Sequence, residues 1–136
     1  MRTLAILAGA AALSIAAAEA ASAHHSFAMF DNTKKIDYRG VVKRLDWTNP
    51  HVWIEVVSGD GADQKTYGFE GGAVSVLKRF GWNHDTVKVG DTVTMTAHPY
   101  RDGRPGGSID FVTLADGRKI GGGDGIPGAV VVGGGK

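Results

Sequence analysis

The chain has 136 residues, with 15 Lys and Arg against 14 Asp and Glu for a formal net charge of +1, and no cysteine. Basic residues cluster no further than adjacent pairs, Lys34-Lys35, Lys43-Arg44 and Lys78-Arg79 among them, which excludes a nucleic-acid footprint. The missing cysteine excludes a disulfide framework and a thiol nucleophile, so stability has to come from a packed core, with or without a bound ion or partner.

The first residues read as an export signal. Arg2 gives the positive start, "LAILAGAAALSIAAA" (residues 4–18) the apolar stretch, and Ala21-Ser22-Ala23 the small-x-small cleavage pattern. The apolar stretch is shorter than the roughly 20 residues a membrane span needs. Cleavage after Ala23 is expected, leaving a mature protein that starts at His24, has no membrane span and lies in the periplasm. Arg2 and Glu19 cancel, so the mature chain keeps a formal charge of +1.

The strands come next. "IDYRGVVKRLDW" (residues 36–47) is rich in β-branched and aromatic side chains. "HVWIEVVS" (51–58) follows the turn signal Asn49-Pro50. "GDGAD" (59–63) closes a hairpin, and "QKTYGFE" (64–70) returns. In "GGAVSVLKRFGW" (71–82), Ala73, Val76, Leu77 and Phe80 form an apolar stripe at helical spacing. Lys78 and Arg79 stand in the last turn and Gly81 at the C-cap, so a helix of two to three turns is predicted. "DTVTMTAH" (91–98) alternates, with Val93, Met95 and Ala97 on one face and Thr92, Thr94, Thr96 and His98 on the other. "SIDFVTL" (108–114) is the last strand, and the glycine-rich residues 121–136 read as a flexible tail.

Three strands, a helix and two strands is the element order of a small five-stranded OB-like Greek-key barrel. The fold class expected is mainly β, with signal peptide 1–23, barrel 24–120 and tail 121–136.

The blocks "AHHSFAMFD", "WTNPHVWI", "LKRFGW", "VGDTVTM" and "HPYRDGRPGGS" together resemble a family of small exported bacterial proteins catalogued as a domain of unknown function. The resemblance covers nearly all of residues 23–120. It implies a periplasmic β-barrel of a Gram-negative bacterium and supplies no activity. The chain departs from the family at "YGFEGGAVS" (67–75), where relatives tend to carry tryptophan and proline, so a surface lined by that segment differs here.

Candidate metal donors are His24, His25, His51 and His98. Cleavage after Ala23 gives His24 a free α-amine beside its imidazole, a two-nitrogen chelate that His51 or His98 would complete. Cu(II) favours such nitrogen sets, and zinc competes for imidazole. The plain alternative is a solvated terminus with two hydrogen-bonded turn histidines; His84 reads as exposed. Trp47 and Trp53 are candidate ligand-stacking residues, against the commoner role of tryptophan in cores. Arg101 and Arg104, in the loop "HPYRDGRPGGS", are candidates for holding a carboxylate or phosphate. No GxSxG elbow and no paired acid and base stand out. The chain thus reads as a periplasmic binding protein rather than an enzyme, with copper as first ligand. The alternative is a module binding a small ligand or a periplasmic protein partner, and the third reading is a copper-dependent redox enzyme.

Overall fold

A computed structural model of the chain describes residues 28–123. By its internal contacts the chain divides into two units, Met1–Phe30 and Asp31–Lys136, and the second holds the strands found among the described residues. These are β1 (Ile36–Asp46), β2 (Trp53–Ser58), β3 (Lys65–Glu70), β4 (Thr92–Pro99), β5 (Gly106–Thr113) and a short β6 (Lys119–Gly121). A turn of 3₁₀ helix at Gly61–Asp63 joins β2 to β3, and one helix, α1 (Val74–Arg79), lies between β3 and β4.

The sheet order is β3-β2-β1-β4-β5-β6, and β3 also pairs with β5. That extra pairing is parallel, matching Gly68 to Gly106 and Glu70 to Ser108, and it closes five strands into an OB-like barrel. The halves of β1 pair with different strands, Ile36–Val41 with β4 and Val41–Asp46 with β2. A bulge between Val42 and Arg44 accommodates the change of direction.

The alternation in the sequence sets the two faces. Val93, Met95 and Ala97 are buried inside with Val42, Ile54, Val56, Phe69, Ile109 and Val112. Thr92, Thr94 and Thr96 lie on the outer face, where the Thr96 hydroxyl donates to Asp37 across the β1–β4 pair at 2.6 Å.

Two features differ from the sequence expectation. The helix is six residues long rather than spanning 71–82, because the glycines before it are drawn into the sheet. Gly71 N–H donates to Val52 O and Gly72 N–H to Gly122 O, both at 2.8 Å. The Asn49 side chain, from the β1–β2 connection, accepts the Val74 N–H at 3.1 Å and caps the helix from outside. The second difference is β6, which pairs Ile120 with Val112. The pairing runs past residue 120, with Gly122 N–H donating to Asp110 O at 2.7 Å. The indole of Trp82 donates to Gly121 O at 2.8 Å in the interior, so the glycines that open the predicted tail are part of the fold.

Candidate functional site

The register brings two of the sequence-predicted residues, Trp53 and His98, into one row. Trp53 faces Glu70 across β2–β3, Glu70 faces Ser108 across β3–β5, and Ser108 faces His98 across β5–β4. Directly paired residues share a face. Their neighbours Ile54, Phe69, Ile109 and Ala97 fill the core, so these four side chains form a row on the outer face. The connections 47–52 and 100–105 bracket this row, as the ligand-flanking loops of OB barrels do.

His51 stands at the entry to β2. The backbone beside it is fixed by Val52, whose N–H donates to Gly72 O and whose C=O accepts from Gly71 N–H. Its Nδ1 lies 2.5 Å from Glu70 Oε1, with the imidazole 41% exposed and the carboxylate 18%. A carboxylate accepts, so this contact places a proton on Nδ1; in the neutral ring Nε2 then carries the lone pair. His98 is buried, and its Nδ1 meets Lys34 O at 2.8 Å. A carbonyl only accepts, which assigns the Nδ1 proton there as well. Each histidine therefore has an oxygen partner holding the ring by Nδ1, the orientation common among metal-ligating histidines. Among the described residues, no group of three His, Cys, Asp or Glu side chains converges as a metal site.

The bulge that places His98 is in β5. Thr96 faces Phe111 and Ala97 faces Ile109, which leaves Asp110 as the extra residue. The Asp110 carboxylate is buried. No well-angled hydrogen bond reaches its Oδ2 among the described residues, and its compensation is the Lys35 ammonium at 2.6 Å. Lys35 also stands 5.9 Å from the centre of the Phe111 ring.

The aromatic and basic candidates divide. Trp53 is half-buried on the outer face and covers Gly68. Trp47 packs against the core and stacks on Trp82 at 6.4 Å between ring centres, a structural position. Arg104 lies over the Tyr100 ring at 4.0 Å and reaches Asp102 at 3.2 Å. Burial pushes the Tyr100 phenol up, the Arg104 guanidinium opposes that, and Glu70 and Asp102 add to it. Tyr100 is thus a neutral hydroxyl at neutral pH. Arg101 is exposed in the same loop. His84 is exposed beside Asp85. His24 and His25 lie outside the described residues.

Sequence reasoning missed Glu70 and Tyr100 as partners in this end of the barrel. Hairpin register counted outward from the 59–63 turn would have placed Glu70 opposite Trp53.

The family described as "Family of unknown function (DUF6152)" matches residues 12–109. That is most of the chain, and the protein belongs to this family. No curated protein and no solved structure matches it.

Proposed function

We propose that this is an exported periplasmic binding protein whose ligand is a metal ion, copper first, taken at the barrel end that carries His51 and His98. The observation that supports the reading most is the pair of oriented imidazoles. His51 is held by Glu70 and His98 by the Lys34 carbonyl, and Glu70 and His98 belong to one row of paired residues through Ser108. Imidazole nitrogens suit copper and zinc, with copper the stronger binder of the two. His24 and His25 enter from the sequence alone, as donors of an exported amino terminus.

The reading calls for binding or transfer of the ion and needs no covalent chemistry from the chain. Glu70 orients His51 and raises its basicity toward a cation. Trp53 and Tyr100 supply apolar cover near Glu70. The test is a Cu(II) titration of protein purified from periplasm, followed by EPR, with intact mass giving the first residue. Ligation by nitrogen that weakens in His51→Ala supports the proposal. An unchanged titration in that variant would leave the barrel face as a site for a small organic ligand or a protein partner.

A further inference from the structure

A second surface, lined by neither His51 nor His98, lies over the middle of β1. Val41 is the residue of β1 that pairs on both sides, with Val57 of β2 and Thr92 of β4. Over it opens a groove of about 840 Å³, with the 59–64 connection on one side and the Val89-Gly90 turn on the other. Val41 is 45% exposed and Val89 65% exposed, so the apolar floor and wall face solvent.

The walls are pinned. Gly90 N–H donates to Val42 O at 2.8 Å and Val42 N–H to Asp91 O at 2.9 Å. The Asp91 carboxylate accepts the Lys88 N–H at 2.8 Å. Opposite, the Ser58 hydroxyl donates to Arg39 O at 2.6 Å. An exposed valine in a hydrogen-bonded turn gains nothing for folding, and a preformed groove of this volume is of the size that takes small ligands.

Charge selects the ligand. Arg39, Lys43 and Asp60 line the groove, two cations against one carboxylate, for a local balance of +1. Neither Arg39 nor Lys43 has an ion pair with another described residue. The apolar floor asks for a hydrocarbon body and the surplus charge for a single anionic head. We propose that this groove binds a medium-chain aliphatic carboxylate, its head between Arg39 and Lys43 and its chain over Val41, Val57 and Val89.

The test is calorimetric titration of the purified protein with decanoate below its micellar concentration, paired with amide NMR shifts. Decanoate is expected to shift Val41, Val57, Val89 and Gly90. Octanoate, two methylenes shorter, should bind about fifteenfold more weakly, since each buried methylene is worth roughly fourfold in affinity. Arg39→Gln with Lys43→Gln should weaken decanoate about tenfold, and Val89→Asp should abolish its shifts. All three residues are exposed, so these variants keep the fold, and circular dichroism confirms it. Decyltrimethylammonium binding the groove as tightly as decanoate would overturn the proposal. Decanoate shifts confined to the His51 end, or no response to the paired Gln substitutions, would do the same.

Discussion

The six-membered ring of Trp53 occupies the space where a β-carbon on Gly68 would stand. The same glycine sits on the seam that closes the barrel. Its partner Gly106 has φ +121°, and a β-carbon there would run into the Gly68 carbonyl. A side chain at Gly106 forces strain into the β3–β5 pairing, whereas one at Gly68 must displace the Trp53 ring.

Gly68→Ala is expected to cost about 1–3 kcal/mol by overpacking, and Gly106→Ala about 3 kcal/mol or more, because backbone strain adds to collision. Urea unfolding measures both. The Gly68→Ala cost should shrink when Trp53→Leu is added, since the two residues share one volume. A cost below about 0.5 kcal/mol for Gly68→Ala, the range of an ordinary surface change, would contradict the Trp53 placement.

Trp82 ties α1 to the end of the described chain. Trp82→Phe keeps most of the apolar volume but orphans the Gly121 carbonyl, which is buried with it. The expected loss is about 1–3 kcal/mol. Hydrogen exchange should show the change at Lys119–Gly121 first, because β6 is a three-residue strand that, among the described residues, pairs only with β5. Uniform loss of protection through β1 and β2 instead would contradict this.

Asp31 titrates low. The Thr33 hydroxyl at 2.6 Å and the Lys34 ammonium at 3.1 Å hold its carboxyl well below the usual range, at about 2 rather than 3.8. The folded value lies below the unfolded one. The stabilisation is therefore fully present above pH 3.8 and is lost as pH falls toward 2. Carboxyl NMR should give the low midpoint, and Thr33→Val should move it up. A wild-type midpoint near 3.8 would contradict the hydrogen bonds that define this turn.

Much of the barrel was legible in the sequence, because alternation and turn residues act locally. Val93, Met95 and Ala97 are buried as their spacing requires, and the β2–β3 hairpin follows from its glycine-rich turn. The helix was over-read: its apolar stripe includes Ala73, yet Gly71 and Gly72 find better hydrogen bonds in the sheet. β6 was invisible because three residues beside a glycine run carry no periodicity. At the candidate site, the outer-face position of His98 was readable, but its burial was not. That burial goes with the β5 bulge at Asp110 and the contact to Lys34 O, both set by pairing between distant segments. The Glu70 contact to His51 depends on hairpin register in the same way.

The oriented imidazoles make Glu70 a sensitive lever. Glu70→Gln keeps the size of the side chain while removing the charge that holds His51 Nδ1. Cu(II) affinity should fall about 10–100-fold, the usual effect of losing such a partner, with the fold unchanged by circular dichroism. Loss of affinity equal to that of His51→Ala in a variant that remains folded supports a shared role. No change on Glu70→Gln would separate the His51–Glu70 contact from metal binding.

The most direct measurement of the central claim is Cu(II) EPR on the mature protein, with the first residue fixed by intact mass. The account predicts a chain beginning at His24 and one equivalent of copper ligated by nitrogen. That signal should weaken in His51→Ala or His98→Ala and change when a residue is added before His24. Binding that is micromolar or weaker and indifferent to His51→Ala and His98→Ala would contradict it.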